Sequence, residues 1–396
     1  MNASDALHAR VVSAIDAAMK KSGGAAEPGA RPPIDAPIGP MADEAFDDLA
    51  VAIARFQAEH IPALARLSLA RGVDLAAVRG ADAIPAVPCD VFRLARVAAH
   101  PPEDDVRVFR TSGTSQDARG EHPFRTTATY ARAALAWGKA MLWPDRDHIR
   151  VIVLAPAPSE APDSSLGFML DLFAGALGGP ASWHVRGGEL DEGGLARACE
   201  EARAAGEPAL VLGTSFAFVH LLDATSRDAG ALDVRRLALP DGSRVMQTGG
   251  FKGRSREVEA AVLRLQIAEA FGVPASHVVA EYGMTELSSQ LYEGTLAASL
   301  GARGASLEHG IYCAPPWVRV TAVDPLTLRP ALHVDGVATG LARIVDLANV
   351  DSAVAVQTLD LVAISAAGIR LIGRAPGATP RGCSLAIDAM LSRGHA

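Results

Sequence analysis

Only four of the 396 residues are cysteine, Cys89, Cys199, Cys313 and Cys383, and no two form a CxxC pair. That spacing argues against a zinc site and against a disulfide framework, so each thiol is judged alone. No uncharged apolar run reaches the roughly 18 to 20 residues that span a bilayer, so no membrane span is expected. The opening MNASDALHAR places Asp5, His8 and Arg10 where a secretory signal carries its apolar stretch. Export is therefore not expected, and a cytoplasmic location is. Lysine is scarce: Lys20, Lys21, Lys139 and Lys252 are the whole set. Lys and Arg together number 37 against 45 Asp and Glu, a net charge of −8. Such a chain has no basic footprint for nucleic acid or an anionic membrane surface.

What is present is an ordinary globular balance, 49% hydrophobic and 21% charged, which excludes a disordered chain. The length suits two domains, or one large domain with an appendage. Residues 1–22 read as a helix with Val11, Val12 and Ile15 on one face, followed by a Gly/Pro/Ala stretch. Phe46, Leu49, Ile53, Phe56, Ile61, Leu64 and Leu67 recur at helical spacing between Asp43 and Arg71. Beyond Pro85, strand-like runs (VRVFR, IRVIVLA, PALVLGTS, SRVMQTGG, HVVAEYG) alternate with helical ones such as YARAALAWGKAML and GLARACEEARAAG. This alternation predicts a mainly parallel α/β sheet. From Ile311 the pattern turns β-rich through WVRVTAV, GLARIVDL and SAVAVQTLD, and a last short stretch reads as a strand, a Gly/Pro loop and one helix. The expected division is a helical region with linker at 1–84, an α/β nucleotide-binding core at 85–310, a β-rich subdomain at 311–365 and a short C-terminal module at 366–396.

Four segments can carry chemistry. Thr111-Ser112-Gly113-Thr114-Ser115 follows the strand VRVFR, and hydroxyls around a glycine give a loop able to wrap phosphate oxygens. It is not a Walker A loop, and a plain Ser/Thr-rich turn is the alternative. Glu281-Tyr282-Gly283-Met284-Thr285-Glu286 ends the strand HVVA. There a hydroxyl, a ring and a carboxylate suit a nucleotide phosphate with its Mg²⁺. Alternatively Thr285 and Glu286 begin the next helix as cap and first-turn acid. Gly249-Gly250-Phe251-Lys252 again follows a strand, offering room for a flat base, a stacking face and a cation, or simply a glycine turn before a helix. Asp360, followed by Gly373-Arg374, can accept ribose hydroxyls or be a surface carboxylate. Weaker candidates are His122, which could assist a carboxylate or serve packing, and Ser164 with Ser165, which could line an acyl pocket or cap a helix. Cys89, Cys199 and Cys313 read as structural, and Trp137, Trp143, Trp183 and Trp317 as core residues.

The TSGTS loop, the YGMTE strand end and an Asp followed by Gly-Arg resemble, in order and spacing, the adenylate-forming superfamily of acyl-CoA synthetases, adenylation domains and luciferases. TGGFKG, SSLGFML, GLARIVDLANVDS and RGCSL are similar to the acyl-protein synthetase (LuxE) branch, over about residues 85 to 390. The resemblance implies a large domain of mainly parallel sheets with helices, a β-rich subdomain and a truncated C-terminal module. It implies activation of a carboxylic acid, fatty in that branch, with ATP and Mg²⁺ as acyl adenylate, followed by transfer to a thiol. In that branch the thiol belongs to the enzyme, a position matched by Cys383, and the acyl group then passes to a partner reductase. By the same resemblance Thr111, Ser112, Gly113, Thr114 and Ser115 would hold phosphates. Gly249, Gly250, Phe251, Tyr282 and Gly283 would line the adenine pocket, Thr285 and Glu286 would serve the α-phosphate and Mg²⁺, and Asp360 would take the ribose, with Arg374 also among the cofactor-binding residues.

The chain departs from the superfamily in having only Ala375 to Ala396 after Arg374, with no lysine there to meet the carboxylate. Lys252 is the best substitute, with Arg119 or Arg254 behind it, and Arg374 with Arg381 could activate Cys383. Transfer to coenzyme A or a carrier protein, as in phenylacetate-CoA ligase-like relatives, and a degenerate nucleotide-binding scaffold remain alternative readings.

Overall fold

A computed structural model describes residues 2–20, 40–111, 119–178, 181–225, 232–249, 258–302 and 304–375, with Ile387, Met390 and Leu391 beyond them. Three helices open the chain: α1 (Ala3–Lys20), α2 (Asp43–His60) and α3 (Pro62–Ala70). The helical spacing read between Asp43 and Arg71 is interrupted at Ile61, because Pro62 takes the first helical position of α3. All seven apolar residues on that spacing are buried, as are Val11 and Ile15 of α1.

The short strand β1 (Val87–Pro88) and α4 (Val91–Leu94) lead to a separate hairpin, β2 (Arg107–Arg110) with β3 (Glu121–Phe124), and then α5 (Ala128–Leu142). Strands and helices next alternate: β4 (Arg150–Pro156), α6 (Ser165–Ala176), β5 (Ala181–Arg186), β6 (Glu189–Leu190), α7 (Glu192–Ala205), β7 (Ala209–Thr214), α8 (Ser215–Thr225), β8 (Arg244–Thr248), α9 (Ala260–Phe271) and β9 (Val278–Tyr282). The order β5-β4-β7-β8-β9 is parallel throughout. The remaining elements are β10 (Leu291–Glu293), α10 (Thr295–Ser299), β11 (Ile311–Cys313), β12 (Val318–Val323), β13 (His333–Val334), β14 (Val337–Asp346), β15 (Ala355–Ser365) and β16 (Gly368–Arg374). From β10 onward these strands pair with one another antiparallel, β11 with β16 and β12 with β14 among them.

Among the described residues these strands make one mixed sheet, running β12-β14-β15-β16-β11-β10-β9-β8-β7-β4-β5-β6. Its parallel part is covered on both faces, and the sequence shows why. Val151 and Val153, Leu210 and Leu212, Met246 and Val279 enter one core, while Ile152 and Leu154, Val211, Val245 and Val278 enter the other. Adjacent residues of a strand point to opposite faces, so an unbroken apolar run supplies both layers at once. Helices α1, α2, α5 and α6 belong to the first core and α7, α8 and α9 to the second. Among the described residues no helix is long and apolar enough to cross a membrane.

Candidate functional site

The parallel register sets Thr214, Thr248 and Glu281 side by side at the carboxyl ends of β7, β8 and β9. Loops leaving this edge are where open α/β sheets collect ligands. Gly249 follows β8 with φ +75°, a backbone shape that favours glycine, and its carbonyl accepts the Ser215 hydroxyl at 2.8 Å. Sequence reading passed over Thr214 and Ser215. Their signal was a Gly-Thr-Ser triplet closing a strand, quoted there only as part of the strand.

Tyr282 ends β9 and its hydroxyl donates to Asp360 Oδ2 at 2.8 Å. Strands β10, β11 and β16 stand between β9 and β15 in the sheet. Laid flat, four strand spacings would separate the two by roughly 19 Å, so the sheet curls back on itself to bring them together. Burial and the neighbouring Asp360 carboxylate push the Tyr282 phenol well above its ordinary range, so the hydroxyl stays a donor. Asp360 is held in turn by its backbone N–H donating to Thr358 Oγ1 at 3.1 Å. Arg374 is its cross-strand partner on β16. Sequence reading joined Tyr282, Asp360 and Arg374 by family resemblance; the curl of the sheet and one strand pairing join them in space.

A further side chain, from β1, belongs to this group. β1 pairs in parallel with β15, and the Cys89 N–H donates to the Gln357 carbonyl at 3.0 Å. Its thiol is buried and lies within electrostatic reach of Glu286, Asp90, Arg374 and Asp360. Burial, reinforced by the carboxylates, pushes the thiol up to about 12. Cys89 is therefore a protonated neighbour of the site, whereas sequence reading gave it only a structural place.

Thr285 and Glu286 do not begin a helix, contrary to the capping alternative. They occupy a turn in which the Leu287 N–H donates to the Met284 carbonyl, and the chain then bends at Ser288 before entering β10. The GLARIVDLANVDS segment fastens this turn from behind. Asn349 Nδ2 donates to the Glu286 carbonyl at 2.9 Å, and Asp346 accepts the Ser288 N–H and the Ser289 hydroxyl. Burial lifts the Asp346 carboxyl to about 6 despite these donors. Glu286 itself is buried. Among the described residues no group of three or more His, Cys, Asp or Glu side chains is placed to hold a metal ion. A magnesium ion bound by one or two carboxylates and substrate phosphates needs no such group, and Glu286 is the carboxylate this turn offers.

The hairpin carrying the Ser/Thr-rich loop is tied to the same turn. His122 on β3 donates through Nδ1 to the Thr285 carbonyl at 2.7 Å. A carbonyl only accepts, so Nδ1 bears the proton. Burial holds the imidazole down at about 4, hence neutral. Thr111 closes the base of the loop, its N–H donating to the Gly120 carbonyl and its hydroxyl accepting the Gly120 N–H, both at 2.9 Å. Arg119 is engaged there too, with Asp163 at 2.6 Å and the Thr111 carbonyl at 2.6 Å. Ser164 caps α6 by accepting the Gly167 N–H at 3.0 Å, and Ser165 is its first helical residue. Ser112, Gly113, Thr114, Ser115, Gly250, Phe251, Lys252, Arg254, Arg381 and Cys383 lie outside the described residues.

Trp137, Trp143 and Trp317 are buried and Trp183 packs against the core, while Cys199 and Cys313 are buried thiols. No protein-family model matches this chain, and no curated protein matches it.

Proposed function

We propose that this protein activates a carboxylic acid with ATP, releasing pyrophosphate, and passes the acyl group to a thiol. The observation that carries the reading is the meeting of Tyr282, Asp360 and Arg374 beside the carboxyl ends of β8 and β9. Tyr282 occupies one lobe of one Asp360 oxygen, which leaves the rest of the carboxylate to accept two ribose hydroxyls. The ring and backbone at Tyr282, Gly283 and Gly249 would flank the base, and Thr111 and Thr285 would face the phosphates. In the first step the acid's carboxylate oxygen attacks the α-phosphorus, and the bond to the β-phosphate oxygen breaks. Magnesium held by Glu286 and phosphate oxygens would offset the charge that gathers there. In the second step a thiolate attacks the acyl carbonyl carbon and AMP leaves.

In the self-acylating form of this reading the thiol is Cys383, and a reductase collects the acyl group. Among the three described cysteines, burial keeps every thiol protonated, which supports an acceptor elsewhere. ATP–pyrophosphate exchange over a panel of fatty and aryl acids tests the activation step. Acid-dependent exchange that falls at least about 10²-fold in Asp360→Ala is expected. Absence of exchange with every acid counts against the proposal, and turnover that requires coenzyme A and survives Cys383→Ser moves the acceptor off the chain.

A further inference from the structure

The turn of Thr285 and Glu286 is gripped by two parts of the chain. His122 of the β2–β3 hairpin binds the Thr285 carbonyl, while Asn349 and Asp346 bind the Glu286 carbonyl and the Ser288 N–H. The Ser288 hydroxyl also donates to Asn349 Oδ1 at 2.5 Å. The second grip is anchored to α2 by Gln57. Its Nε2 donates to the Asn349 and Val350 carbonyls at 2.7 and 2.9 Å, and its Oε1 accepts the Val354 N–H at 3.0 Å.

Asp351 joins the two grips to each other. Arg125 stands one residue past β3 and three past His122, with its Nε 3.5 Å from Asp351 Oδ2. Arg125 Nη2 donates to the Ser4 hydroxyl at 2.8 Å and to Asp5 at 2.7 Å, and the Ser4 hydroxyl donates in turn to Asp351 Oδ1. One turn further along α1, His8 Nε2 donates to Asp351 Oδ2 at 2.9 Å, and its Nδ1 meets the Thr129 hydroxyl of α5 at 2.7 Å. Burial works against the Asp351 charge, but the bonds from His8 and Ser4 outweigh it and hold the carboxyl below its ordinary range. The cavity beside His8, His122, Thr129, Ser288, Asn349 and Asp351 is about 10 Å³, room for one water and not for a substrate. This cluster therefore fastens parts of the chain together and holds no ligand of its own size.

We infer that Asp351 is a positioning residue. By gathering Arg125 from the hairpin and Ser4 and His8 from α1, it fixes the base of the Ser/Thr-rich loop relative to the turn of Thr285 and Glu286. The inference rests on the adenylation reading, in which that hairpin and that turn serve the phosphates and Mg²⁺. Helix α1 is then a brace for MgATP geometry as well as a cover for the core. Groups behind a ligating residue commonly change metal affinity or rate by 10- to 100-fold when removed, because the residue in front loses its orientation.

The test uses the full-length protein with Asp351→Asn, His8→Ala and His8→Gln. Hydrogen exchange followed by mass spectrometry should find the Leu287 and Ser288 amides exchanging faster in Asp351→Asn and His8→Ala, with the amides of β7 and β8 unchanged. In pyrophosphate exchange the same two variants should need about 10-fold more Mg²⁺ for half-maximal rate, while KM for the acid stays within about 2-fold. His8→Gln can place an amide N–H where Nε2 stood, so it should recover most of the loss. The His8 side chain is 13% exposed on an outer helix, which keeps its variants testable if Asp351→Asn folds poorly. Unchanged turn amides and an unchanged Mg²⁺ requirement overturn this inference and leave the adenylation reading standing. So does loosening of the turn only in step with β7 and β8, which marks a purely structural role. No exchange with any acid overturns both.

Discussion

The Tyr282 hydroxyl lies 2.8 Å from Asp360 Oδ2, joining strands between which three others intervene in the sheet. A hydrogen bond to a charged group contributes about 1.5 to 3 kcal/mol. If Tyr282 acts by orienting Asp360, Tyr282→Phe should raise KM for ATP by roughly 10-fold or more with a smaller change in kcat. Asp360→Asn should do more, and the double variant should fall short of additivity by about 1 kcal/mol or more. Steady-state pyrophosphate release with thermal melts on all four proteins measures the cycle. Strict additivity would show that the contact does not couple the two residues.

His122 ties the β2–β3 hairpin to the turn holding Thr285, and burial lowers its imidazole from 6.5 to about 4. The folded state therefore holds this ring neutral while the unfolded chain protonates near 6.5. The stability it contributes is complete above that value and drains away as pH falls through about 4, a difference worth roughly 3 kcal/mol. His122→Gln keeps a donor for the Thr285 carbonyl and cannot titrate. Chemical denaturation across this range should find the wild type losing stability on acidification relative to the variant.

Glu281 carries the opposite sign. Burial lifts its carboxyl from 4.5 to about 7, with the Thr248 hydrogen bond opposing the shift. Folding therefore favours the protonated form. Its contribution is fully present below about 4.5 and is lost as pH rises through 7, again roughly 3 kcal/mol. Glu281→Gln should melt increasingly above the wild type between pH 5 and pH 8. A constant difference across that window would mean that Glu281 does not titrate there.

Cys89, Cys199 and Cys313 are buried, and burial raises their thiols to about 12, 12 and 11. Thiolate is the reactive form, so alkylation of the native protein at pH 8 should spare all three. Peptide mapping after brief iodoacetamide treatment checks this, with a denatured sample as the reference. Rapid labelling of Cys89 would contradict the closed surroundings described for the Asp360 side.

Much of the framework was legible because its signals are local. Apolar runs such as VIVLA and ALVLG mark strands buried on both faces, and the motif residues sit where those strands stop. The curl was not legible, because it depends on β10 and β11, short strands of three residues each with no alternation to read. Nor was the role of α1. His8 Nε2 donates to Asp351 at 2.9 Å and Ser4 bonds the same carboxylate, contacts that bridge nearly the whole chain and leave no mark on local spacing. Thr285 and Glu286 look like a helix start in sequence, yet Asn349 holds the Glu286 carbonyl and Asp346 the Ser288 N–H, partners from a distant segment that leave no local mark.

The central claim is ATP-driven acyl activation ending on a thiol, and intact-protein mass spectrometry after incubation with MgATP and the acid panel meets it most directly. The account predicts an ATP-dependent, hydroxylamine-labile acyl mass that maps to Cys383 and disappears in Asp360→Ala. A protein that gains no mass and releases no pyrophosphate with any acid would contradict it.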